Sequence, residues 1–525
     1  MVTTTWNGGS GDWNTASDWS NGVPTAADNA VLSGYNLATI TGSGSAATLT
    51  LVGDPLFLTL FTLTGTHALG TVNVANGHLV VAAPGTLSFQ SAVIGGGTNG
   101  SNNLGNGSLD VLPGATLGSG AVTLAGGTLT GALGQFANPL TLATMDGSSG
   151  SGLDEIDGTG TLSGLITGSA KLVLNRFSPF SVNTPTLPEN LVLTNAANSN
   201  SGGIAAFGGT VEIATNGAAG TGPLSADACQ LVLDAGVTSG PINAGRFSGA
   251  DVSVADGSHT VFAGQGGLSF QNGSGTSLVI GAIVPTTTIQ SEIPVFGALS
   301  VTGGTGSVTV FGGNEGGAIF GGTAGGNVVV AGASVAPSPA IGGAIPVVIG
   351  GGGNGDLLVV AGVQNNLVAA AGGNETLTGS GATGNNVFFG GSGADLIVAG
   401  SGQDLIVGGT GTATLVGGVG NTAIFAGAGR DLILGGTGGD YIQAGSGNAT
   451  VFAGSGSDLL AVVDGQAGGS MMVSGFRVGT DHLAARGYSS APQQATAGGN
   501  TVLTFSDNTR VTLLGVVSLP GAAFT

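Results

Sequence analysis

The stretch Gly390–Ala461 reads GGSGADLIV, AGSGQDLIV, GGTGTATLV, GGVGNTAIF, AGAGRDLIL, GGTGGDYIQ, AGSGNATVF and AGSGSDLLA: eight nonapeptides with no residue left over. A fixed period marks a structural unit that buries its apolar side only against its neighbours. Positions 1, 2 and 4 are small, position 6 is Asp or small, and position 8 is apolar throughout. Glycine lets the backbone turn with positive φ and approach its neighbour closely. The last three residues, rich in Leu, Ile, Val and Phe, form a short strand. A turn plus a three-residue strand, repeated, gives a parallel β-roll in which two nonamers complete one coil.

The run resembles the calcium-binding nonapeptide array of the repeats-in-toxin (RTX) family, with consensus G-G-x-G-x-D-x-U-x. The resemblance implies Ca2+ between turns of units n and n+2, held by position-6 carboxylates and turn carbonyls, the hard oxygen ligands this ion prefers. Position 6 is matched by Asp395, Asp404, Asp431, Asp440 and Asp458, whereas Ala413, Thr422 and Ala449 depart from it. Stacking n on n+2 sets Asp395 over Ala413, Asp404 over Thr422, Asp431 over Ala449 and Asp440 over Asp458. Only the last pair has two carboxylates, so the best site is expected there, with Asn386–Asp404 a weaker, mixed one and few calcium ions in all. The bland alternative is a glycine-rich solenoid whose Asp residues only cap turns.

Length alone, 525 residues, suggests three or four domains, but a solenoid grows by stacking and needs no new core. Glycine at 107 residues raises the question of disorder, which 41% hydrophobic residues, mean hydropathy of +0.43 and the regular period answer in favour of ordered β structure. Lys and Arg total 7 and the net charge is −20, which excludes a basic surface for nucleic acid and disfavours an anionic membrane. That balance suits an extracellular setting and divalent cations. Cys229 is alone and forms no intrachain disulfide. The opening MVTTTWNGGSGDW lacks the basic and apolar regions of a Sec signal peptide, and no apolar run reaches the ~18 residues of a membrane helix.

Four regions are expected in an all-β fold, a parallel β-helix/β-roll solenoid with capped ends. Residues 1–35 hold Trp6, Trp13 and Trp19, read as an aromatic cap on the first rung. A sugar-stacking platform is the functional alternative. The segment resembles the entry of autotransporter-passenger β-helices. Residues 36–254 show short alternating apolar runs between Gly, Asn, Ser and Thr turns, and resemble an irregular right-handed parallel β-helix. From about 255 to 465 the nonamer rhythm appears, first degraded (NGSGTSLVI, GGTGSVTVF, GGNEGGAIF) and then regular, with Asp356 a possible outlying ligand. Breaks are expected around Pro285 and at 333–346, where proline cannot donate to a ladder. Residues 466–525 contain FRVGTDHL and NTVLTFSDNTRVTLLGV, similar to the C-terminal domain of type I secreted proteins. The resemblance implies an export signal, and Asp507-Asn508 reads as its hairpin turn.

A catalytic constellation is sought because β-helices often host polysaccharide lyases and hydrolases. Asp154, Glu155 and Asp157 form the densest acidic cluster, in what reads as a Gly/Ser-rich turn without an adjacent base. His67, His78, His259 and His482 show no metal or triad spacing, and Cys229 has no basic neighbour. No enzyme is expected.

Positions 7 and 9 of the array face outward and are largely apolar, as at Leu396/Val398 and Leu432/Leu434 on one side and Leu405/Val407 on the other. Strands apolar on both faces are normally covered on both. At least one roll face is therefore expected to lie under a second layer of this chain or another copy. Together these readings point to a secreted calcium-binding structural or adhesive protein of the cell surface that assembles with itself, its Ca2+ ordering the turns after export. Cell-surface polysaccharide is a possible further partner. The alternatives are an extracellular polysaccharide-active β-helix enzyme and a carbohydrate-binding module using the tryptophans.

Overall fold

Short strands separated by tight turns wind back onto themselves in the computed structural model, most of them hydrogen-bonding in parallel to the strand one coil earlier and one coil later. The structure describes residues 1–34, 37–54, 58–96, 107–143, 153–176, 189–246, 248–281, 298–312, 317–331, 347–465 and 469–524. The expected breaks around Pro285 and at 333–346 lie outside the described residues. Among the described residues the only helical turns are Ala16–Asp18 and Gly521–Ala523, and no helix is long and apolar enough to cross a membrane. The fold is an all-β parallel solenoid. Contacts divide it into two units, Met1–His259 and Thr260–Thr525.

In the first unit one run of strands includes Asn29–Ser33, Gly44–Val52, Thr66–Asn76 and Thr86–Gly95, paired in parallel. Inward residues stack in columns: Leu191 pairs with Val211, Val211 with Leu231 and Leu231 with Val252, all buried. This stacking of like on like removes each coil's apolar side from water. At the start, Trp6, Trp13 and Trp19 are buried, with edge-to-face contacts of 5.0 and 4.9 Å centred on Trp19. Their faces are spent on one another and on His67, so no open ring is left for a sugar to stack on. His67 is fully buried, and burial pushes its imidazole down to about 4, which keeps it neutral.

The second unit contains the regular array. Ile397, Leu415, Ile433 and Val451 form one fully buried column in parallel register, and Ile406, Ile424, Ile442 and Leu460 form the opposite one. Position 8 therefore points inward from both sides of a thin roll. The coil ends where Arg510–Leu513, parallel to Ser470–Ser474, turns back antiparallel onto Asn500–Thr504. Asn508 sits at φ 66° in that turn, a left-handed conformation Asn tolerates. The strand Gln493–Ala497 finishes the sheet antiparallel, wholly exposed on an edge.

Candidate metal centre

Each array turn delivers its position-6 side chain into the narrow edge of the roll, and Asp395, Asp404, Asp431, Asp440 and Asp458 are all buried there. Two backbone donors hold most of them. Oδ2 accepts the position-2 N–H of its own turn, from Gly391 to Asp395 (2.8 Å), Gly400 to Asp404 (2.8 Å) and Gly427 to Asp431 (2.7 Å). Oδ1 accepts the position-6 N–H of the preceding coil, from Ala413 to Asp431 (3.0 Å), Thr422 to Asp440 (2.7 Å) and Asp440 to Asp458 (3.0 Å). The position-6 residues thus form a ladder along each edge, coupled through n and n+2.

The ladders are not uniform. At Asn386 the amide Nδ2 donates to the Gly384 carbonyl (2.8 Å) and to Asp404 Oδ1 (3.1 Å), while its oxygen accepts the Asn366 N–H (3.0 Å) and amide (2.9 Å). An NH2 group there meets the oxygens a cation would meet. Upstream, Asn272 Nδ2 lies on the Gly275, Gly303 and Ser307 carbonyls at 2.8, 3.2 and 3.3 Å, and Asn327 Nδ2 joins the Gly322 carbonyl to Asp356 Oδ1, both at 2.8 Å. Asp356 belongs to this amide-bridged part of the ladder. Where Ala413 and Ala449 stand, Asp395 and Asp431 face a methyl group in register.

Asp440 and Asp458 differ from all of these. The Oδ2 atom of each is buried without a hydrogen-bond partner. Burial, with Asp458 close by, pushes the Asp440 carboxyl up to about 7. Burial likewise raises Asp458, with Asp481 adding to the rise and Arg477 opposing it. A buried carboxylate oxygen with no donor is costly, and a bound divalent cation removes that cost. Two stacked carboxylates with orphaned oxygens among turn carbonyls make a donor set that fits Ca2+. Among the described residues no three His, Cys, Asp or Glu side chains cluster as a metal site, so backbone carbonyls would have to complete the shell.

A family model, the RTX calcium-binding nonapeptide repeat (4 copies), matches residues 380–415, 416–451 and 425–460. Residues 380–460 are RTX calcium-binding nonapeptide repeats. Comparison with curated proteins and with solved structures gave no match. The RTX array is a calcium-binding motif, and Ca2+ is the ion its turns serve.

Two further acids join the RTX ladders that period counting overlooks. Glu375 stacks on Asp395, its N–H donating to Asp395 Oδ1 (3.1 Å) and its Oε1 accepting the Gly373 N–H (2.8 Å). Its Oε2 has no partner, and burial first, then Asp395, pushes its carboxyl up to about 7. Asp481 accepts the Asp458 N–H at 3.1 Å and continues the other ladder. The signal for Asp481 was the Gly-x-Asp of FRVGTD, which repeats positions 4 to 6 of the array.

The remaining candidates assemble no active site. Asp154, Glu155 and Asp157 lie on the strand Asp154–Leu162 and not in a turn, because parallel pairing to Thr128–Phe136 continues through them. Glu155 and Asp157 share a face of that strand, and burial pushes them up to about 7 and about 8. The fold also brings Ser108 Oγ and Asp110 Oδ2 to His78, at 2.6 and 3.2 Å, a grouping invisible in the sequence. Both meet the same Nδ1 atom, whereas a relay needs one on each ring nitrogen. Cys229 is buried, and burial pushes its thiol up to about 11, too high for a nucleophile.

The raised Asp440 value sets a pH dependence. Its folded-state value of about 7 exceeds the ordinary 3.8, so in calcium-free protein its contribution to stability is fully present below about pH 4 and lost as pH rises through about 7. Calcium requires the ionised form, so its stabilising effect grows over the same window. Melting curves at about pH 5.5 and about pH 8, each with calcium and with chelator, are expected to show the larger calcium-induced rise at the higher pH.

Proposed function

We propose that this chain is a secreted, calcium-binding structural or adhesive protein, not an enzyme, which assembles with its own copies outside the cell. Asp440 and Asp458 are its principal calcium ligands, with Asp395, Asp404 and Asp431 lesser ones and Asn386 an internal bridge. Residues 466–525 serve export as well as closing the roll. The RTX repeats support secretion, since proteins that carry them are typically exported.

One observation carries the assembly reading. Outward position-9 residues line up in parallel register, with Phe311 on Val330, Val330 on Val359, Val398 on Val416, Val416 on Leu434 and Leu434 on Phe452. Phe311, Leu434 and Phe452 are exposed at 45%, 36% and 49%, so among the described residues no second layer covers them. An apolar sheet face of this kind, interrupted in this row only where Thr378 stands between Val359 and Val398, marks an interaction surface. A second copy fits it because it offers the same flat row, and contacts that do not close on themselves build fibres or sheets.

Light scattering and negative-stain microscopy of the purified chain test this. Ordered assemblies are expected with millimolar calcium and are expected to dissolve with chelator. Leu434→Glu combined with Phe452→Glu is expected to abolish them while the calcium-induced rise in melting temperature persists. A monomer that stays monomeric with calcium would remove the self-assembly reading.

A further inference from the structure

We propose that Arg477 closes the calcium ladder with a cation of the chain's own: its guanidinium fills the inter-turn slot between turns 453–458 and 476–481, in the place that calcium takes between turns of the array. The inference rests on the calcium reading of the RTX repeats and concerns a slot that lies beyond the matched residues, 380–460.

Phe476–Ala484, FRVGTDHLA, fits the nonapeptide with Gly479 at position 4, Asp481 at position 6 and buried Leu483 at position 8. The strands agree, since Leu459 pairs in parallel with His482, position 7 on position 7. The turn also keeps the array's internal bonds. Arg477 N–H donates to Asp481 Oδ2 at 2.7 Å, as Gly391, Gly400 and Gly427 do for their own Asp residues, and Asp458 N–H donates to Asp481 Oδ1 at 3.1 Å. It is a tenth unit, since Ser470–Ser474, paired with Asn448–Phe452, supplies the strand of the ninth, and the intervening insertion hides it.

The departure is at position 2. All eight array units have glycine there, and sterics explain why: a Cβ on Gly454 would lie 1.9 Å from the Gly436 carbonyl oxygen of the coil before. At Phe476–Asp481 the step back along the ladder is 23 residues instead of 18, and the site takes an arginine. Its side chain turns into the gap. Nη1 donates to the Ser455 carbonyl at 2.8 Å, Nη2 to the Gly456 carbonyl and to Asp481 Oδ1 (2.9 Å), and Nε to Asp481 Oδ2 (3.3 Å). Two turn carbonyls from one coil and a position-6 carboxylate from the next are the oxygens the family offers calcium, here satisfied by one planar fork.

An ordinary surface pair would be the simpler account of an Arg and an Asp four residues apart. It does not explain why the guanidinium reaches across to the carbonyls of the neighbouring coil, nor why Asp481 is fully buried beneath it. The chemistry also differs from calcium in a useful way. A guanidinium stays charged at all physiological pH and cannot be chelated. The end of the roll therefore stays closed when calcium is scarce. Asp458 then has a fixed cation on one side and, towards Asp440, the slot with the two orphaned oxygens on the other. The second slot is held open by a finished neighbour, which lowers the ordering cost of loading it.

Calcium stoichiometry of the full chain, by titration calorimetry and equilibrium dialysis, tests the assignment. Arg477→Ala is expected to bind one more calcium equivalent than the unaltered chain. Its melting temperature is expected to drop in chelator and to recover in millimolar calcium, whereas Arg477→Lys keeps the original stoichiometry. Arg477→Gly, which restores the array's own residue at position 2, gives the same reading if the alanine variant does not fold. Equal stoichiometry in all chains, or a melting loss identical with calcium and with chelator, overturns the proposal. Absence of calcium binding by the unaltered chain instead overturns the assignment of Asp440 and Asp458 on which it rests.

Discussion

Replacing Asp440 and Asp458 together by Asn is expected to weaken the tightest calcium binding by on the order of 100-fold, since affinity of oxygen-ligand sites follows the number of carboxylates. A ligand present at about 100 times its Kd stabilises the folded state by about 2.7 kcal/mol. Losing that amount lowers the calcium-loaded melting temperature by roughly 5–10 °C in a unit of this size. In chelator the sign reverses. Both carboxylates are raised by burial, and the Oδ2 atom of each lacks a donor, so neutral amides remove an unfavourable buried charge. The variant is therefore expected to melt higher than the unaltered chain without calcium and lower with it. Circular dichroism melts under the two conditions reveal whether the curves cross. A uniform drop in both would mean that Asp440 and Asp458 only cap turns.

The same carboxylates show where the sequence is easy to read and where it is not. Inside the array every coil is 18 residues, so the stacking of Asp440 on Asp458 and the inward aim of Ile433 follow from counting. Outside it, insertions stretch the step to 20 residues between Glu375 and Asp395 and to 23 between Asp458 and Asp481. An insertion leaves the strand pairing intact while destroying the period, so ladder members remain in space and vanish from the pattern. Asn386 illustrates a second limit. By spacing it is a position-6 residue like any other, but whether its amide offers an oxygen or an NH2 group depends on Asn366 in the coil before. The acidic cluster at Asp154–Asp157 illustrates a third. Gly and Ser around it read as a turn, yet parallel pairing on both sides overrides local propensity. The outward apolar rows are legible as chemistry because position 9 is counted as simply as position 8. Only the structure shows that Phe452 is left exposed, with no described residue laid over it.

Gly447→Ala is expected to be among the most destabilising single methyls that can be added to the array. Position 4 is glycine in all eight units, and positive φ does not account for it, since Gly447 lies outside the left-handed region. The reason is the closeness of the coils. A Cβ on Gly447 would stand 1.8 Å from the Gly429 carbonyl oxygen and 2.5 Å from that of Ala428, and the equivalent atom on Gly438 would stand 2.0 Å from the Gly420 oxygen. These are backbone atoms fixed by strand pairing on both sides, so relief requires two coils to part. Parting them breaks the hydrogen bond from Asn448 N–H to the Gly429 carbonyl (3.0 Å) and spreads the turn carbonyls that calcium needs. Overpacking a fixed core costs about 1–3 kcal/mol, and a clash with backbone on this scale is expected at about 3 kcal/mol or beyond. Because each coil touches only its neighbours, the damage divides the roll, and unfolding is expected to split into two transitions. Gly381→Ala is the control, for its Cβ would meet nothing nearer than the Ala361 methyl at 4.0 Å. Chemical denaturation of both variants, with calcium saturating, distinguishes tight coil stacking from a general intolerance of side chains in the turns: comparable losses in the two would refute the steric argument.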